Sequence, residues 1–156
     1  MRPHEKYIKN AKYFLKNALK YKEQGIASDA ISRIYYACFH VMLAYLHFRG
    51  KAKKLPVYVR HSELREAYCD LYDAYSKSEE THGLRAFVFR RKPFSVLERW
   101  QRIREDADYK VPYEDFNQLP RETQQDFYLM IEFVKAHVSY IEKAELKPST
   151  TFDKRN

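Results

Sequence analysis

Apolar positions recur at helical spacing along nearly the whole chain, and no six-residue stretch alternates with period two between hairpin residues, so the pattern predicts an all-α fold. A first helix is expected from about His4 to Gln24, with Tyr7, Ala11, Phe14, Leu15, Ala18 and Tyr21 on one face and Gly25 as its stop. A second, the most apolar, should start after Ser28 as N-cap and run to Arg49, where Gly50 ends it. Lys51 to Arg60 reads as a basic loop, followed by a third helix from His61 or Ser62 to Tyr75 with Leu64, Tyr68, Leu71 and Tyr75 inward. After a polar break at 76–82 and a helical stretch from Gly83 to Arg91, Ser95 and Glu98 form a capping-box pattern for a fourth helix through about Ala107. Val96, Leu97, Trp100, Ile103 and Ala107 mark its core side. Pro120 suits the first turn of a long fifth helix to about Leu146, whose stripe is Phe127, Met130, Ile131, Val134, Val138 and Ile141. The expectation is one up-and-down bundle of about five helices over residues 1–147, with 148–156 as a flexible tail.

At 156 residues the chain has room for one core and not comfortably for two. Its only glycines, at 25, 50 and 83, are too far apart for a Rossmann fingerprint or a Walker loop, which need backbone amides brought close to phosphate at close spacing. Cys38 and Cys69 stand without a CxxC, HExxH or Cys/His comb, so neither a disulfide framework nor a zinc site is signalled, and a reducing, cytoplasmic setting is the default. The charged N-terminus does not read as a signal peptide. The uncharged run Ile34 to Phe48 is shorter than the roughly 18–20 residues that cross a bilayer, so a buried helix is expected and no membrane span. With 29 Lys and Arg against 21 Asp and Glu, the net charge of +8 favours encounter with anions such as nucleic acid, although simple solubility accounts for it as well.

On the second helix Arg33, Tyr36, Ala37, His40, Ala44 and His47 share a face opposite the stripe Ile31, Ile34, Tyr35, Cys38, Met42, Tyr45 and Leu46. Arg33 and His40 lie two turns apart, roughly 10 Å along the axis, and project in nearly the same direction. An imidazole can move a proton near neutral pH while a guanidinium holds phosphate, so the pair suits phosphodiester chemistry. An internal ion pair for Arg33 and a hydrogen-bonded core position for His40 explain the same spacing. Arg99, Arg102, Arg104, Asp106, Asp108 and Tyr109 make a second cluster, in which Arg104 and Asp108 are spaced for an intrahelical ion pair or for one arginine facing the same groove. At His61-Ser62, N-capping by Ser62 competes with chemistry. Lys51, Lys53 and Lys54, and the run Arg85 to Lys92, are interleaved with rings as a single-stranded nucleic-acid surface would be, or are solvated faces. No local signature of a Ser/His/Asp or Cys/His nucleophile is present. The 25 aromatic residues exceed what a small monomer conveniently buries and predict a homodimer built on the second and fourth helices.

The segment Ser32-Arg33-Ile34-Tyr35-Tyr36-Ala37-Cys38-Phe39-His40, then His61-Ser62, then Arg104-Glu105-Asp106-Ala107-Asp108-Tyr109, resembles the HEPN family, particularly its small stand-alone bacterial and archaeal members. The first segment is fairly specific and the other two support it by order and separation. The resemblance implies a dimerising helical bundle. It further implies a metal-independent ribonuclease of toxin–antitoxin, CRISPR or other defence systems, or the partner of a minimal nucleotidyltransferase. His40 would be the acid/base, with Arg33 and Arg104 on the phosphate. Tyr36, His47, Lys51, Lys53, Lys54, Arg60, His61, Arg102 and Tyr109 would line an RNA or nucleotide groove, with no metal or cofactor. In place of the R-x(4–6)-H of catalytic members, the late helix carries Tyr109 where histidine is expected, and R-x6-H occurs at Arg33–His40. A non-catalytic assembly subunit is the alternative that this departure leaves open.

Overall fold

The computed structural model describes residues 1–75, 93–109 and 115–146, apart from the side chains of Lys54, residues 73–75, Pro93 and Tyr109. The helical stretch expected at 83–91, the basic run Arg85 to Lys92 and the tail after 147 lie outside the described residues.

The described residues form five α-helices and no strand: α1 (Pro3–Glu23), α2 (Ala27–Phe48), α3 (His61–Tyr75), α4 (Pro93–Tyr109) and α5 (Arg121–Leu146). Short 3-10 turns sit at Ala52–Lys54 and Phe116–Gln118, inside what the sequence marked as loops. None of the described helices is long and apolar enough to cross a membrane.

Both predicted glycine stops end helices for a definite reason. Gly25 (φ 76°) and Gly50 (φ 69°) adopt the left-handed conformation that a side chain disfavours. The chain then turns back so that Ile26 N donates to the Tyr21 carbonyl and Gly25 N to that of Lys22. The same pair recurs with Lys51 N to Leu46 and Gly50 N to His47. Orphan carbonyls at both helix ends are thereby satisfied.

α3 starts at His61 as expected, while the starts of α2, α4 and, by one residue, α5 are displaced. α2 begins straight out of the Gly25 turn, with Ile26 at the cap and its carbonyl accepting from Ala30 N, so Ser28 lies inside the first turn. Pro93 opens α4, which puts Ser95 within the helix and not at its cap. Arg60 caps α3: its carbonyl accepts from Leu64 N and its amide donates to the Glu63 carboxylate, leaving Ser62 no capping role. Pro120, placed by the sequence in the first turn of α5, precedes it and accepts from Gln124 N. At α2 the backbone turn and at α4 and α5 a proline fixed the entry, while at α3 the Glu63 carboxylate took the capping contact in place of Ser62.

α2 is the central helix and touches all four others. Most of the predicted core stripes are buried: Ile31, Ile34, Tyr35, Cys38, Met42, Tyr45 and Leu46 on α2, Leu64, Tyr68 and Leu71 on α3, Val96, Leu97, Trp100 and Ala107 on α4, and the whole expected stripe of α5. Tyr7, Phe14, Leu15 and Tyr21 on α1 and Ile103 on α4 are half-buried. Ala37 and Ala44, assigned to the opposite face of α2, are buried too, because α1 covers that face. Two polar groups of the interior had no sequence signal. His137 donates through Nδ1 to the Phe133 carbonyl (2.7 Å) and accepts at Nε2 from the Tyr68 hydroxyl (2.5 Å). Asp126 accepts from Arg99 (2.5 Å) and Trp100 (3.3 Å), which gives Arg99 a structural partner.

Candidate functional site on two flanks of the central helix

The α1/α2 seam has a strict register. Ala11 and Ala18 on α1, and Ala30, Ala37 and Ala44 on α2, are all wholly buried, and these seven-residue rows of small side chains let the two helices approach. Beside the alanines runs a ladder of larger groups, also every seven residues. Tyr7 stacks on His47 (5.1 Å between ring centroids), Phe14 on His40 (5.2 Å), and the Arg33 guanidinium lies over the Tyr21 ring at 6.0 Å. The antiparallel pairing accounts for the spacing: Arg33, His40 and His47 repeat because Tyr21, Phe14 and Tyr7 do. All six are half-buried.

His40 is held as a neutral ring. Burial, helped by Lys6, pushes its pKa down to about 4. Its Nδ1 is buried without a protein partner, and its faces meet Phe14 and Tyr7 (5.9 Å). His47 is lowered by burial and, less, by His4.

On the other flank α2, α3 and α4 meet. Here Tyr35 and Tyr36 come from α2, His61 and Arg65 from α3, and Gln101, Arg104, Glu105 and Asp108 from α4. The Tyr35 hydroxyl lies 2.9 Å from His61 Nδ1. Arg104, buried, spreads its guanidinium 5.5 Å from the Tyr35 ring and 5.8 Å from that of Tyr36, and donates to Asp108 at 3.1 Å. Burial works against that charge, while the Asp108 hydrogen bond and the two tyrosines raise the Arg104 pKa above its ordinary value. His61 is pushed down by burial first, then by Arg104 and Arg65, with Glu105 opposing. Burial drives the Tyr35 phenol up, so it stays protonated. Arg65, also buried, donates to the Gln101 amide oxygen, and Gln101 in turn donates to Glu105 at 2.9 Å.

Chemically this junction offers a neutral imidazole oriented by a phenol, next to a fixed guanidinium, which is a base–orienter–cation set. The two flanks connect through rings: Phe39 touches both His40 (5.9 Å) and His61 (5.0 Å), and Tyr36 touches Phe14 (5.9 Å).

Of the residues singled out from sequence, Arg104, His61 and Tyr36 therefore meet at one place, and Arg33, His40 and His47 form the ladder. Lys51 and Lys53 are exposed at the edge of a separate groove of about 1010 Å³, whose opposite wall carries Glu63, Glu66 and Asp70 of α3. Arg60 is exposed and pairs with Glu63 at 3.7 Å, and Arg102 is exposed. The side chains of Lys54 and Tyr109 lie outside the described residues. Sequence reading missed Arg65, Gln101 and the hydroxyl of Tyr35. Arg65 stands one turn after His61, and Gln101, Arg104 and Asp108 share a face, so helical spacing held a signal for both sets. No protein-family model and no curated protein matches this chain.

Proposed function

We propose that this is a HEPN-like protein that binds RNA or nucleotide phosphate at the α2/α3/α4 junction and cleaves RNA without a metal, as a homodimer in a cytoplasmic toxin–antitoxin or defence system. The observation that carries the reading is the meeting of His61, the Tyr35 hydroxyl and Arg104 from three helices. Arg104 is suited to a phosphate oxygen and to the charge that develops on it. With His61 Nδ1–H donating to Tyr35, the free Nε2 takes the proton of a ribose 2′-hydroxyl as its oxygen attacks phosphorus. The bond to the 5′-oxygen breaks, that oxygen is protonated from solvent, and a 2′,3′-cyclic phosphate remains. The half-buried rings of Tyr36, Phe39 and Phe14, leading from the junction to the ladder, suit stacking with unpaired bases.

The test is cleavage of a labelled single-stranded RNA in EDTA by the wild type, His61→Asn and Arg104→Lys. Cyclic-phosphate product lost in both variants supports the reading; wild-type protein that leaves RNA intact, or variants that cut normally, overturns the catalytic part.

One observation favours a second reading, a non-catalytic assembly subunit such as the partner of a minimal nucleotidyltransferase. The Arg33–His40 face is taken up by packing against α1, and Arg104 already has Asp108. RNA affinity that falls steeply between about 50 and 200 mM salt argues for phosphate contacts, whereas salt-insensitive association with a protein argues for assembly.

A further inference from the structure

Far from the junction, the first turn of α1 meets the last turns of α5. His4, buried against the edge of Phe48, directs Nε2 at the Glu145 carboxylate, with which it makes a direct contact. Glu5 is the next residue of α1, and one donor atom from each of His4, Glu5 and Glu145 lies within 4.8 Å of the others. The same three line a cavity of about 280 Å³, and Glu142, one turn before Glu145, lines it too.

We propose that His4, Glu5 and Glu145, with Glu142 at the rim, form a zinc-class divalent cation site that ties the two ends of the chain's outer helices together. This inference does not depend on the proposed RNA chemistry. An imidazole with two carboxylates from two helices is a borderline nitrogen/oxygen donor set. It suits Zn²⁺ or Co²⁺, with water completing the shell, far better than Mg²⁺ or Ca²⁺, which favour oxygen alone. The carboxylates are now held by exposed cations: Arg2 donates to Glu5 (2.8 Å) and Glu145 (3.0 Å), and Lys12 to Glu142 (3.0 Å). The Arg2 side chain is 62% exposed, so it can swing into solvent as a metal ion enters, whereas the His4 side chain is only 8% exposed and stays aimed at the site. Arg2 would thus compete with the ion and not join its shell, so removing it separates a metal site, which would keep or gain affinity, from a plain ion-pair cluster.

The experiment is titration of the full chain with Zn²⁺ by calorimetry and with Co²⁺ by visible absorption, for the wild type, Glu145→Gln, His4→Asn and Arg2→Ala, each checked for helicity. One ion per chain is expected, with an affinity at least ten-fold weaker in Glu145→Gln and in His4→Asn and equal or tighter in Arg2→Ala. Excess Mg²⁺ should not displace the ion. The proposal fails if no ion binds, if both ligand variants bind like the wild type, or if Arg2→Ala loses binding as Glu145→Gln does. Should His4→Asn fail to fold, Glu145→Gln and Glu5→Gln, which alter half-buried carboxylates, decide the matter.

Discussion

The two flanks of α2 carry similar residues, histidine, arginine and tyrosine, and use them differently. Along the α1 seam each polar group is matched one-to-one with a ring at a seven-residue repeat, so its position follows from helix packing alone. At the α3/α4 junction no repeat relates Tyr35, His61 and Arg104; they meet because three helices converge. A repeat along one helix is accounted for by packing, whereas the junction differs both from that seam and from the fully buried Tyr68–His137 pair of the interior in that its phenol and imidazole, with His61 half-buried, lie beside a guanidinium.

The largest expected effect breaks this comparison directly. His61→Asn should lower RNA cleavage by about 100-fold or more, the range for loss of a general base, whereas His40→Phe, which keeps a ring on Phe14, should stay within a few-fold of wild type. Rates measured in EDTA on folded protein check both. If His40→Phe is the dead variant and His61→Asn is not, the assignment of chemistry to the junction is wrong and the R-x6-H spacing marks the site after all.

Next in size is overpacking. Ala37 and Ala44 have no exposed surface and face α1, so Ala37→Leu should destabilise the fold by about 1–3 kcal/mol, with the ladder pushed out of register. Leucine at exposed Arg102 should change stability by no more than about 0.5 kcal/mol. Denaturant midpoints read the difference, and equal effects at the two positions would remove the close seam on which the ladder depends.

Acid should sharpen the contrast further. His40 and His137 are depressed to about 4 in the folded chain, against an ordinary value near 6.5. Between those limits the unfolded chain binds more protons. The stability they contribute is complete above about pH 6.5 and is lost as pH falls toward 4. For His137, fully buried, that loss is on the order of 3 kcal/mol at most. His40→Phe should flatten part of the slope between pH 7 and 4.5, and a wild-type stability that stays level across this range would mean that neither ring is held neutral.

The helices, both glycine stops and most of the core stripes of the second, third and fifth helices were legible because helical periodicity and positive-φ turns are local properties of the chain. Val41, Leu43 and Phe133, by contrast, are buried outside those stripes because several helices surround α2 and α5. Helix starts were less so: Ser28, Ser62 and Ser95 have capping chemistry, yet the Gly25 turn, Arg60 with Glu63, and Pro93 set the entries. The ladder was half visible, since the spacing of Arg33 and His40 could be read on α2 but its match to Tyr21 and Phe14 needs the two helices docked. His61 and Arg104 were each noticed, but nothing local says that α3 and α4 bring them to Tyr35. Arg65 carried a spacing signal, one turn after His61, whereas His137 carried none, because a buried histidine looks the same in sequence as an exposed one.

The smallest effect is expected at Arg33, and it separates the two explanations of its spacing most cleanly. Its guanidinium sits over Tyr21 at 6.0 Å, near the limit of a cation–π contact, on a half-buried edge of the seam. Such a contact is worth about 0.5–1 kcal/mol, and an ammonium on a flexible stem keeps part of it. Arg33→Lys should therefore cost about 0.5 kcal/mol or less and leave RNA cleavage unchanged. A phosphate-gripping arginine behaves differently, because lysine keeps the charge but loses the planar fork that holds two oxygens, so activity would fall while stability stayed constant. Paired measurements of melting temperature and cleavage rate on this one variant distinguish the outcomes, and a loss of activity without loss of stability would return Arg33 to the site.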